Sequence, residues 1–214
     1  CTPMKSLRLD DLKRPLKDVA YRKIVVFLPA WFFAQNFSSA FLSVYMLQAL
    51  GMSHTQISGV AMVASAAGIL GTWFWGRAAD RSSWNRIMLW TGCNIGTTYL
   101  CWGAVPPGAG LAIPFLLQSL VSACSGSFNM ASANLQYSCA PAEGKTLYLG
   151  VGAAISNLTG YGAALLGAST QSMLQLQMGI QSIRILFLGS GVFCLAAVLL
   201  IVPKLPKIIL GAKK

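Results

Sequence analysis

Apolar residues in this chain come in long blocks separated by short polar connections, not in the two-residue alternation of half-buried strands. The blocks are Ile24–Leu47, Ile57–Trp75, Ile87–Val105, Leu111–Tyr137, Leu147–Ser169 and Ile185–Val202. At about 1.5 Å of rise per residue, each is roughly long enough to cross a hydrocarbon core as a helix. The only acidic residues beyond position 18 are Asp80 and Glu143, and both fall between blocks. A charge at a helix centre costs ~2.5–3.5 kcal/mol even on the lenient insertion scale, so blocks without charge are suited to lipid. The pattern predicts an all-α membrane protein: a basic linker over residues 1–23, a bundle of six transmembrane helices over 24–202, and a basic tail over 203–214. With a mean hydropathy of +0.61, a water-soluble domain would have little polar surface to present.

The distribution of charge predicts orientation. Lys5, Arg8, Lys13, Arg14, Lys17, Arg22 and Lys23 precede or open the first block, and residues 51–56 after it carry neither Lys nor Arg. The next connection holds Arg77, Arg81 and Arg86, the following one (residues 106–110) holds none, and Lys145 lies in the fourth. Residues 171–182 are again free of Lys and Arg, and Lys204, Lys207, Lys213 and Lys214 close the chain. This alternation predicts a multi-pass protein of the plasma (inner) membrane with both ends cytoplasmic. The formal charge of +11 is spread over several connections, so no single basic face for nucleic acid is expected.

Among the cysteines, Cys93, Cys101, Cys124 and Cys194 lie within apolar blocks, and no pair has C-x-x-C spacing. Neither a metal site nor a disulfide framework is predicted, and no cofactor is expected. The chain opens Cys1-Thr2-Pro3 without Met, which is expected of a piece of something longer.

Uncharged polar residues inside the blocks are the candidates for function, because lipid tolerates them only where protein or a wet cavity receives them. Gln118, Ser122, Ser125, Asn129, Ser132 and Gln136 recur at steps of four and three, which keeps them on one helix face. The first block adds Gln35, Asn36, Ser39 and Ser43, and the fifth adds Ser156, Asn157, Thr159 and Tyr161. Small residues recur every four positions at Ala64, Gly68, Thr72 and Gly76, and at Gly152, Ser156, Gly160, Ala164 and Ala168. Such stripes let helix backbones approach in lipid, where dispersion replaces the hydrophobic drive. The sixth block has few polar side chains and is expected to face lipid.

The connection from Gly76 to Arg86 carries the most specific motif. Gly76 is expected to permit a close helix approach, and Asp80 to cap the following helix and attract Arg81 or Arg86. This resembles the G-x-x-x-D-R-x-G-R-R signature of the major facilitator superfamily, with Ser83 in place of the inner glycine and Asn85 in place of a basic residue. Residues 15–23 look like the basic lead-in to the second half of such a transporter, and residues 134–150 like a later helix connection.

The resemblance implies one six-helix half of a twelve-helix fold, the C-terminal one. It further implies secondary active transport of a small solute by alternating access, with an N-terminal half as partner and the lipid bilayer as environment. The implied substrate path comprises Gln35, Asn36, Ser39, Gln118, Ser122, Ser125, Asn129, Ser132, Asn157 and Tyr161. Gly76, Asp80, Arg81 and Arg86 are the implied latch, and Gly68, Gly152 and Gly160 the packing positions. No enzyme is expected, since Ser127 has no intramembrane His to activate it. The alternative is a channel or an assembly-only subunit of a membrane complex.

Overall fold

The computed structural model describes residues 13–80, 82–141 and 144–205, and these form helices and connections with no strand. A short helix α1 (Arg14–Lys17) leads into α2 (Val19–Ser39) and α3 (Leu42–Gln48). Then follow α4 (His54–Asp80), α5 (Trp84–Ala104), α6 (Ala112–Cys139), α7 (Lys145–Met178) and α8 (Ser182–Ile201). Helical rods therefore fall on each apolar block. Among the described residues, three helical stretches, Tyr21–Gln48, His54–Ala79 and Lys145–Lys204, are long and apolar enough to cross a membrane. The last contains two rods, α7 and α8, and reverses at Gly179, whose φ of 60° lies in the left-handed region that favours glycine. α5 and α6 are long enough at 21 and 28 residues, but their Asn, Gln, Ser and Thr content keeps them out of that set.

Several boundaries differ from the sequence reading. The first block is not one helix: it breaks at Ala40–Phe41, where the Phe41 N–H donates to the Ser38 carbonyl three residues back at 3.0 Å. His54 opens α4, with no loop around it. Ser53 and Gln56 form a reciprocal cap there, with Ser53 N to Gln56 Oε1 at 2.8 Å and Gln56 N to Ser53 Oγ at 3.2 Å. α7 continues through Gln171 to Met178, since Ser-Met-Leu-Gln-Leu-Gln-Met is weakly apolar but sound helical sequence. α8 is not simply turned to lipid: Ile183, Leu186, Phe187, Ser190, Gly191, Cys194, Ala197 and Val198 are buried.

Hydrogen bonds fix which ends lie together. Tyr21, near the start of α2, donates its hydroxyl to the Tyr148 carbonyl near the start of α7 at 2.7 Å. Lys23 Nζ reaches the Lys204 carbonyl beyond α8 at 3.2 Å, which completes a basic end. At the opposite end the Tyr45 hydroxyl donates to the Val105 carbonyl at 2.6 Å, and Gly108 N to the Ala49 carbonyl at 3.0 Å. Arg184 also sits at this second end, an exception to the charge alternation. Its Nε and Nη2 donate to the Gly103 and Ala104 carbonyls at 2.9 and 3.3 Å. These are carbonyls at the C-terminus of α5, where the helix dipole attracts a cation.

The principal packing pairs are α2 with α7, α4 with α6, α5 with α8, α5 with α6, and α2 with α8. Exchanging α2 with α6, α4 with α7 and α5 with α8 maps this set onto itself. The glycine contacts obey the same exchange. A Cβ on Gly71 of α4 would overlap the Ala123 carbonyl of α6, and a Cβ on Gly167 of α7 would overlap the Phe37 carbonyl of α2. α5 and α8 meet through Gly92, Gly96, Gly103 and Gly191, against which Val198, Leu195, Leu188 and Leu100 pack. Trp31 stacks on Phe128 with centroids 4.0 Å apart, joining α2 to α6 and closing the ring α2–α6–α5–α8. α4 and α7 flank that ring.

Candidate functional site

The polar stripe of α6 runs along one side of the helix, between the line of α4 and that of α2 and α7. Ser122 lies against Gly68 of α4: a Cβ there would sit 3.4 Å from the Ser122 carbonyl. At the other extreme, Gln136 Oε1 lies 3.6 Å, and the Tyr21 hydroxyl 3.1 Å, from where a Cβ on Gly152 of α7 would be. Gln118, one turn before Ser122, and Ser125 are half-buried, Ser132 is buried, and Asn129 is exposed. The Ser125 hydroxyl donates to the Val121 carbonyl of its own helix at 2.8 Å, as serine does when no outside acceptor is in reach.

The other path residues divide in the same way. Asn36 Nδ2 donates to the Phe32 carbonyl at 2.9 Å and lies against Gly160 of α7, where a Cβ would come within 2.9 Å of that nitrogen. Gln35 is half-buried, while Ser39, Asn157 and Tyr161 are exposed. Asn36, Ser122 and Ser132 serve helix contacts, whereas Ser39, Asn129, Asn157 and Tyr161 stand on open surface of α2, α6 and α7.

An open groove of about 740 Å³ lies between α4 and α6, floored by Gly68, Gly76 and Gly126 and walled by Thr72, Trp73 and Met130. Arg77 stands at one end with its guanidinium 3.7 Å from the Trp73 ring centroid, a cation–π contact. The Thr72 hydroxyl is turned back to the Gly68 carbonyl at 2.8 Å, so the groove wall offers mainly apolar surface.

The latch reading changes in one respect. Gly76 is not a point of close approach, since a Cβ on it would meet nothing within 4 Å; Gly71, five residues earlier, makes that contact. Asp80 is the last residue of α4, and Ser83 occupies the N-cap position of α5. Arg86 is exposed near the start of α5, while Arg81 and the side chain of Asp80 lie outside the described residues.

Sequence reasoning missed a set of buried polar atoms. Ser38 Oγ, Gln171 Oε1 and Ser190 Oγ have no hydrogen-bond partner among the described residues, nor do Asn85 Oδ1 and Trp102 Nε1. Ser38 and Ser190 are fully buried and Gln171 is 6% exposed. A serine in an apolar block ordinarily bonds its own helix, so nothing in the one-dimensional pattern separates these from Ser125. Gln171 was placed in a connection by the fall in hydropathy that follows Ser169. No protein-family model matches the chain, and no curated protein matches its sequence.

Proposed function

We infer that this chain is one six-helix half of a secondary active transporter that moves a small solute by alternating access, with all six rods spanning the bilayer. The observation that carries this reading is the exchange symmetry of the packing. α2, α4 and α5 relate to α6, α7 and α8 as two three-helix units. The units run in opposite directions, since α2 starts at the basic end where α6 finishes beside Gly152 and Tyr21. Inverted repeats of this kind allow one bundle to rock against another about a central site. The partner would be a second six-helix half, seated against the polar faces of α2, α6 and α7 and the flanking helices α4 and α7. The degenerate signature from Gly76 to Arg86 supports the same reading, with the basic end cytoplasmic.

Exposed, uncharged Asn129 and Asn157 fit the wall of such a path: an amide both donates and accepts, and costs little to leave wet. The test needs no knowledge of the solute. In a background without native cysteines, Asn129→Cys and Asn157→Cys should react with a hydrophilic, impermeant thiol reagent supplied from the aqueous phase. Val192→Cys, on the exposed side of α8, should not, because that side meets lipid. Equal inertness of all three would remove the path.

A further inference from the structure

We propose that the groove between α4 and α6 holds one acyl chain of an anionic phospholipid from the leaflet at the basic end, with the lipid's phosphate on Arg77. Glycines set its shape. Gly68 and Gly71 bring α4 against the Ser122 and Ala123 carbonyls of α6, whereas a Cβ on Gly76 would meet nothing within 4 Å. The space of about 740 Å³ is lined on α4 from Ser65 to Arg77 and on α6 by Gly126 and Met130. Its two hydroxyls are turned back to their own helix, Ser65 to the Ala61 carbonyl and Thr72 to the Gly68 carbonyl, each at 2.8 Å. An occupant therefore finds no free hydrogen-bonding side chain along the groove, and a polar body would be left unsatisfied there. The exception is Arg77, in the last turn of α4. Its guanidinium lies 3.7 Å from the Trp73 ring centroid, a contact that uses one face of the group and none of its N–H donors. No Asp or Glu is among the described residues that line the groove. This end of α4 is the basic end: α5 begins beside Lys204, where Asn85 Nδ2 donates to the Leu205 carbonyl at 3.5 Å.

Length and charge identify the occupant. From Ser65 to Arg77 a helix rises about 18 Å, and half of a hydrocarbon core is ~15 Å. α4 lies in one of the stretches long and apolar enough to cross a membrane, so the groove reaches from headgroup depth to about the midplane. That is the span of a single lipid tail. Its outer wall continues into Ile69, Leu70 and Phe74, large apolar side chains exposed on the face that lipid meets. Gln118, Ser125, Asn129 and Ser132 do not line it, so it is not the polar stripe. At the headgroup end, a guanidinium matches a phosphate through two parallel hydrogen bonds, and Trp73 stands at the depth where tryptophan is enriched in membrane proteins. The positive-inside rule assigns the basic end to the cytoplasmic leaflet, where anionic lipids collect. A choline headgroup would set a second cation beside Arg77, so a headgroup of net negative charge is preferred. The proposal needs α4 to cross the bilayer and nothing of transport: a channel or a structural subunit would carry the site equally well.

The experiment is a titration of the purified protein, in a neutral detergent, with phosphatidylglycerol or phosphatidylcholine of identical acyl chains, read by native mass spectrometry. Phosphatidylglycerol should bind along a saturating curve and more tightly than phosphatidylcholine. Arg77→Gln should weaken phosphatidylglycerol about fivefold, the factor expected of one basic residue at an anionic surface, and leave phosphatidylcholine unchanged. Arg86→Gln removes an exposed cation that does not line the groove and should change neither lipid. Gly76→Leu fills the groove at a position where a Cβ meets no neighbour, and should weaken both lipids while the lipid-free melting temperature holds. Met130→Trp fills it from the opposite wall and replaces Gly76→Leu if that variant does not fold. Inorganic phosphate at the same concentration should not displace the lipid, since it has no chain to place in the groove. Equal binding of the two lipids, equal loss in Arg77→Gln and Arg86→Gln, undiminished binding in the filled groove, or displacement by inorganic phosphate would each overturn the site. No solute enters the measurement, so its outcome is separate from that of the transport reading.

Discussion

Four glycines on two helices give a test of the packing whose sign reverses from position to position. Gly71 and Gly167 stand where any Cβ meets a backbone carbonyl of the neighbouring helix, which cannot rotate away as a side chain could. Gly71→Ala or Gly167→Ala must push α4 from α6, or α7 from α2. Overpacking of this kind costs about 1–3 kcal/mol. The figure should fall in the upper part of that range, because separation also forfeits contacts along the whole seam, each worth ~0.1–0.2 kcal/mol. Gly150 and Gly162 lie on the same α7 as Gly167, yet a Cβ on either meets nothing within 4 Å. There, replacing glycine by alanine inside a helix should stabilise by up to ~1 kcal/mol through backbone entropy. Melting curves of the four variants in one detergent, with far-ultraviolet circular dichroism to verify helix content, would read the difference. Loss at Gly71 and Gly167 with gain at Gly150 and Gly162 is the expected result. Four losses of similar size, or a stabilised Gly167→Ala, would refute the close approach and with it the exchange symmetry.

Two further outcomes follow from the two ends of the bundle. Arg184→Gln should destabilise by ~1–2 kcal/mol, since two hydrogen bonds from a charged donor are lost at the α5 terminus and one is long and exposed. Arg184→Lys should recover part of that, and equal stability of all three proteins in a melting series would exclude the clamp. For orientation, cysteine replacing Ser53 should be labelled by an impermeant reagent on intact cells, while cysteine replacing Ser82 should be labelled only after lysis. Both are preferable to Gly108 and Gly144, whose φ values of 74° and 86° would strain any side chain.

Much of this architecture was legible in the linear pattern because exclusion of charge from lipid is a strong, one-dimensional constraint. Every apolar block carries a helical rod, and Gly152, Ser156 and Gly160 of the small-residue stripe lie on the buried face of α7; that face then passes to Ala163 and Gly167 and leaves Ala168 exposed, because a strict four-residue step drifts from the 3.6-residue turn. What escaped depended on neighbours or on single bonds. The break at Ala40–Phe41 hangs on one N–H choosing Ser38 over Phe37, which a hydropathy window averages away. Arg184 was hidden because it adjoins an apolar block, and its acceptors belong to a helix about eighty residues earlier. Ser38 was passed over for Ser39, although the structure buries the first and exposes the second. Which of two adjacent serines faces a neighbour is decided by α7 and α8, not by the sequence around them.

The same packing indicates which helices would carry a rearrangement. α5 and α8 are knitted by four glycine contacts and tied at the non-basic end by Arg184. Separating them would open several close-packed contacts at once, and a close-packed seam resists gradual deformation. α4 packs chiefly on α6, along one seam that runs through Gly68 and Gly71, and most of its remaining surface is exposed. α7 holds chiefly to α2, through a face of glycine, alanine and serine whose hydroxyl at Ser156 is turned inward to the Gly152 carbonyl. Such faces have few interdigitating side chains to unlock, so sliding along them costs less than sliding across Val198 or Leu195. A change of shape would therefore leave the α5–α8 pair as a fixed spine and move α4 and α7, the two rods that carry the groove and the exposed amide Asn157.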